Sequence, residues 1–141
     1  MRSLGVTPGH RTLRGRLLLV ACSARKRAVR GPVPARDLYL GTVFRLAVRF
    51  ADRHGMRLVI LSAKYGFIDG LRRIAPYDQT LRGPYDGPYP DGEGFYVGSD
   101  RYFGNAPPRF RRLIPRGLRI GEQAAFLKRQ LARFTPPEGF A

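Results

Sequence analysis

The chain has 141 residues, with 26 Lys and Arg against 10 Asp and Glu, a formal charge of +16. That length supports one domain with a single core, and no apolar run approaches the roughly 18 residues that span a bilayer. One cysteine, Cys22, and two histidines exclude an intramolecular disulfide and a zinc cluster, so the expected setting is reducing and cytoplasmic, with no metal or redox cofactor implied.

Residues 1–15 show no hydrophobic period and read as a flexible basic arm. A single domain is expected over 16–135, followed by a tail at 136–141. Leu17–Ala21 is continuously apolar, as a strand buried on both faces is; it is too short to be the core of a signal peptide. Tyr39, Val43, Leu46, Ala47, Phe50 and Ala51 recur at spacings of three and four. They predict a helix from about Ala35 to Arg53, stopped by Gly55.

Arg57–Ser62 is the second strand, with β-branched Val59 and Ile60 at its centre. Phe67–Asp69 reads as a short turn. Residues 82–108 form a Gly/Pro/Tyr-rich loop in which Phe95–Val97 is the predicted strand; a loop this long in a compact domain is functional or disordered. Its aromatic residues either stack unpaired bases or bury themselves to pin the loop. Pro107 and Pro108 open a predicted helix through Leu113, capped by Asn105. A last helix, from about Glu122 to Phe134, sets Ala124, Leu127, Leu131 and Phe134 on one stripe. The order strand, helix, strand predicts an α/β protein with a parallel sheet.

In such a sheet both predicted strands end at the same edge, where open α/β sheets hold their ligands. Leu17–Ala21 gives way to Cys22-Ser23-Ala24-Arg25-Lys26, and Leu58–Leu61 to Ser62-Ala63-Lys64-Tyr65-Gly66. The hydroxyl and cations of Ser23, Arg25 and Lys26 are suited to a phosphate or the rim of a base. Ser62, Lys64 and Tyr65 would shape the other side of that crevice. Cys22 reads as a small buried apolar residue, because neither histidine supplies a base for it, and Tyr39 as a core residue with a tethered hydroxyl. Pro76-Tyr77-Asp78 contributes the sharpest acid signal. Asp78 is the only acid between Gly70 and Gly83, and cations around it would keep it ionised. Such a carboxylate can orient water or steady an oxocarbenium-like sugar, or close an Asx-turn.

Charge distribution sharpens the picture. Residues 1–30 hold eight cations and no acid, and 105–141 hold eight against Glu122 and Glu138. The stretch 71–104 reverses this, with four Arg against Asp78, Asp86, Asp91, Glu93 and Asp100. A field of this sign and size favours a nucleic-acid partner, and no membrane.

The motifs V-A-C-S-x-x-K, P-A-R-D-L-Y-x-G-x-x-F-R-x-A, I-L-S-A-K-Y-G-x-I and P-Y-D-x-T-L, spread over Leu17 to Leu81, resemble a family of small bacterial and phage domains. That family in turn resembles the C-S-x-x-K domain of archaeosine synthases and, more distantly, the uracil-DNA-glycosylase fold. The resemblance implies a three-layer α/β/α fold with a small, mostly parallel sheet, and the handling of bases in nucleic acid by removal or exchange of modified bases; the expected partner is DNA ahead of RNA. The glycosylase motif G-x-D-P-Y is replaced here by Ala21-Cys22-Ser23-Ala24-Arg25, and no histidine follows His54. The leading expectation is an N-glycosylase-like protein in which Asp78 is catalytic. Ser23, Arg25, Lys26, Ser62, Lys64, Tyr65 and Tyr77 would hold the ligand. The alternatives are a non-catalytic DNA- or RNA-binding module and a nucleotide or base transferase.

Overall fold

The structure, a computed structural model, describes residues 13–133. The arm up to residue 12, Phe134 and the 136–141 tail lie outside the described residues. In chain order the elements are β1 (Leu17–Ala21), β2 (Val33–Pro34), α1 (Ala35–Leu38), α2 (Thr42–His54), β3 (Arg57–Ser62) and β4 (Gly66–Asp69). β5 (Arg73–Ile74), β6 (Gly94–Val97), α3 (Asp100–Phe103), β7 (Phe110–Arg112) and α4 (Ile120–Arg133) complete them.

The main sheet has the order β4-β3-β1-β6-β7. β1 pairs in parallel with β3 on one side and β6 on the other, β7 extends the parallel run, and β4 turns back antiparallel on β3. Register aligns Val20 with Ile60 and Val97. The period of two along each strand then sorts side chains between two cores. Leu18, Val20, Leu58, Ile60 and Val97 face α2 and α4 in the larger cluster; Leu17, Leu19, Val59, Leu61 and Tyr96 face away into the smaller one. Burial on both faces explains why β1 and β3 are continuous apolar runs. The protein is therefore α/β with a mostly parallel sheet between two covering layers; the strand-helix-strand order predicts the parallel sheet, and the family resemblance implies the layers.

The larger core is closed by helices. Phe44, Ala47, Val48 and Ala51 of α2 lie inward, and Ala124, Leu127 and Leu131 of α4 pack beside them. Truncating a side chain as fully buried as Leu18 or Leu127 costs about 2–5 kcal/mol. Gly55 ends α2 at φ 67°, and its amide reaches back to the carbonyls of Ala51 and Asp52. Leu13 also joins this core, with the amide of Gly15 on the carbonyl of Gly55.

The second layer is loop and aromatic side chains around the one-turn α3. Phe67 of β4 lies 5.0 Å from the Tyr85 ring and 4.8 Å from Tyr89, and Phe103 stacks on Tyr96 at 4.7 Å. The rings of the Gly/Pro/Tyr-rich segment thus pin that segment onto the sheet.

Three local expectations are corrected. The helix predicted from Ala35 to Arg53 is broken at Tyr39–Gly41, where the 25–27 loop pairs with the chain: Arg27 donates its amide to Leu38, and Leu40 donates to Arg25. The segment predicted as a helix through Leu113 is β7, because Phe110 inserts into the smaller core; Asn105 caps nothing there and donates instead to the Tyr85 carbonyl. Phe67–Asp69 is part of a strand, held by pairing with β3. Among the described residues, no helix is long and apolar enough to cross a membrane.

Candidate functional site

Parallel pairing of β1 and β3 brings their carboxyl ends to one edge, with Ala21 opposite Leu61 and the Cys22 amide on the Leu61 carbonyl. The chain then diverges. Ser23 turns toward α2: its Oγ accepts from the amide of Gly41 at 3.0 Å and donates to the Arg25 carbonyl at 3.2 Å. Gly41 is the N-cap residue of α2 and has no side chain to cap with, so Ser23 satisfies from outside one of the orphan amides of that helix end. The approach is tight. A Cβ on Gly41 would sit 2.8 Å from the Ser23 Cβ.

On the β3 side, Ser62 is 2% exposed and ties a chain of hydroxyls. Its Oγ accepts from the amides of Lys64 and Tyr65 at 3.2 and 3.1 Å, which closes the turn after the strand. The same oxygen lies 2.9 Å from the Tyr77 hydroxyl, which lies 2.6 Å from that of Tyr39. Burial, followed by the hydrogen bond with Tyr77, drives the Tyr39 phenol far above the ordinary tyrosine range. Burial also raises Tyr77, although its bonds with Ser62 and Tyr39 pull the other way. The Cys22 thiol, half-buried against the core, adds a smaller rise at both phenols.

This network fixes the Tyr77 ring, and Lys26 lies over it. The ammonium is 4.5 Å from the Tyr77 ring centroid and 5.9 Å from that of Tyr39, and it donates to the Ala24 carbonyl at 3.3 Å. A cation on a π face is worth about 0.5–1 kcal/mol where water reaches it. Lys26, Arg27, Tyr77, Asp78 and Thr80 line an open cavity of about 410 Å³, within the size range of small-ligand sites. Asp78 is exposed there and makes no hydrogen bond or ion pair among the described residues. Its carboxylate closes no Asx-turn.

The eight residues singled out from the sequence are thus placed in three groups. Lys26, Tyr77 and Asp78 share the cavity, and Ser62 supports Tyr77 from below. Tyr65 meets Tyr77 edge-on at 6.0 Å and carries two cations over its ring, Lys64 at 5.3 Å and Arg72 at 4.8 Å. Ser23 bonds the backbone of Gly41 and Arg25, and neither it nor the exposed Arg25 side chain lines this cavity.

Arg27, Arg72 and the direct Tyr39–Tyr77 bond were not foreseen. Arg27 sits inside the basic run after β1, where the sequence alone does not tell it from Arg25. Arg72 depends on a chain reversal that no local pattern announces.

No curated protein and no solved structure matches the chain. Residues 17–85, which hold β1 through β5 and every side chain just described, match a family of unknown function, DUF6884, and it is to that family that this half of the chain is similar.

Proposed function

We propose that the protein is a cytoplasmic nucleic-acid-binding enzyme that recognises a modified base, in DNA ahead of RNA, and breaks its N-glycosidic bond. The observation that carries this reading is the exposed Asp78 carboxylate, without a partner among the described residues, in one cavity with Lys26 and the Tyr77 ring. The charge of +16 supplies the field for a polyanion. The likeness of the C-S-x-x-K, A-K-Y-G and P-Y-D motifs to base-handling domains supports the reaction class.

In this reading a nucleotide leaves the stack and its base enters beside Tyr77, as enzymes acting on a base require. Lys26 holds a phosphate or an acceptor on the base edge, and Tyr65 offers a second aromatic face. As the C1′–N bond breaks, its electron pair leaves with the base and positive charge develops on the sugar. Asp78 steadies that charge, then takes a proton from the water that adds to C1′. The buried phenol of Tyr39 and the half-buried phenol of Tyr77 stay protonated at neutral pH and act as positioning groups.

The test uses oligonucleotides carrying a panel of modified bases, incubated with the protein and then treated with alkali. Cleavage at the modified position marks an abasic site and supports the reading. An intact strand across the panel, despite tight binding, would remove the enzymatic part of it.

A further inference from the structure

The face of α2 that points away from the core carries Arg45 and Arg49, one helical turn apart and both exposed. A carboxylate at one of these positions would stabilise the helix, whereas like charges four apart oppose it. Neither guanidinium has a hydrogen bond or ion pair among the described residues. Asp52, the nearest acid on the same helix, is paired instead with Arg36 of α1. From α4, Lys128 borders the same groove and is likewise unpaired among the described residues. The groove has a volume of about 500 Å³, and Asp37 is the one carboxylate on its wall.

Arg27 stands on the same groove. Its Nε donates to the Asp37 carbonyl at 2.9 Å, which fixes the guanidinium at the junction of two cavities. Arg27 lines both this groove and the cavity of Lys26, Tyr77 and Asp78. Tyr39 links them again, since it borders the groove and its hydroxyl meets that of Tyr77. The cations therefore form an open track that runs from α4 across α2 and ends at the candidate site.

We infer that this groove is the phosphate track of a polynucleotide, which leads one nucleotide to Lys26 and Asp78. The inference rests on the base-handling reading above and adds the surface that binds the strand. Spacing agrees with it: one turn sets Arg45 and Arg49 about 6 Å apart along the helix, close to the axial rise of two phosphates of one strand in a duplex, at roughly 3.4 Å each. A small phosphorylated ligand has no use for an open row of unpaired arginines; a repeating polyanion releases counterions at each of them.

The experiment measures binding of a fluorescein-labelled 20-mer, single-stranded and duplex, by anisotropy across a salt series. Wild type is compared with R45A/R49A and with the control R82A/R101A, which removes the same charge from exposed positions in the acid-rich segment. All four side chains are exposed, so melting temperatures should agree. The expected result is that R45A/R49A weakens binding by ~10-fold or more and flattens the slope of log K against log salt by about 2. The control keeps the wild-type slope.

An R45A/R49A protein with the wild-type slope overturns the groove while leaving the base-handling reading in place. So does a control that loses as much as R45A/R49A. Wild-type protein that binds no oligonucleotide overturns both. Poly-glutamate binding as tightly as the oligonucleotide at equal ionic strength would also overturn the assignment, since the groove would then not select phosphate.

Discussion

The hydroxyls of Tyr39 and Tyr77 lie 2.6 Å apart although 38 residues separate them in the chain. One ends the short helix after β1, and the other opens the loop that carries Asp78. Ser62 completes the bridge from the end of β3, so three segments meet in one line of hydroxyls beneath the Lys26 ammonium. The line holds the Tyr77 ring in place, and with it the adjacent Asp78.

Tyr77→Phe should keep the ring under Lys26 and remove the central hydroxyl. Tyr39 and Ser62 would then each lose a buried partner, at a cost of about 1–3 kcal/mol. Urea unfolding should show a lower midpoint with an unchanged slope. A midpoint equal to wild type would show that the hydroxyl line adds nothing to stability.

Alkaline pH should destabilise the fold through the same groups. Burial raises the phenols of Tyr39, Tyr77 and Tyr89 above the ordinary tyrosine value near 10. Above that value the unfolded chain has released protons that the folded chain still holds. Stability is therefore full below about pH 10 and falls as pH rises beyond it. Urea midpoints at pH 8 and 11 should differ, and Tyr77→Phe should narrow the difference. Equal wild-type midpoints at the two values would contradict the raised phenols.

Gly41→Ala should destabilise by about 1–3 kcal/mol, as overpacked sites do. The new Cβ meets the Ser23 Cβ at 2.8 Å. Adding Ser23→Gly should recover part of the loss, a coupling that a double-mutant cycle reads directly. Additive losses would mean that the two positions do not touch.

The strands were legible where burial on both faces leaves an unmistakable run, as in β1 and β3, and the αL stop at Gly55 was legible from its residue type. The break in the first helix was not. Tyr39, Val43 and Leu46 keep helical spacing through it, because the interruption comes from backbone pairing with residues 25–27 and leaves no mark on local pattern. Phe110 misled in the opposite way: two prolines ahead of an arginine-rich stretch resemble a helix start, and only the smaller core makes that stretch a strand. Of the candidate site, the approach of the β1 and β3 ends followed from parallel topology. The link from Tyr39 to Tyr77 depends on how the 70–80 segment folds back, which no periodicity encodes.

Lys26→Ala and Lys64→Ala should each weaken polynucleotide binding while leaving the melting temperature close to wild type. Both ammonium groups lie over aromatic rings at the surface, so their removal opens no core cavity and forfeits at most about 0.5–1 kcal/mol of cation–π attraction. Thermal melts and oligonucleotide titrations on the same samples separate the two effects. A variant that fails to fold would make its lysine structural.

The most direct test of the central claim is Asp78→Asn, measured for binding and base release in parallel. Removing one negative charge from a cationic cavity should leave oligonucleotide affinity equal or slightly higher. Release of the modified base, read as alkali-cleaved abasic sites, should fall by ~100-fold or more, the usual scale for losing a general base. Full base release by the Asp78→Asn protein would contradict the account.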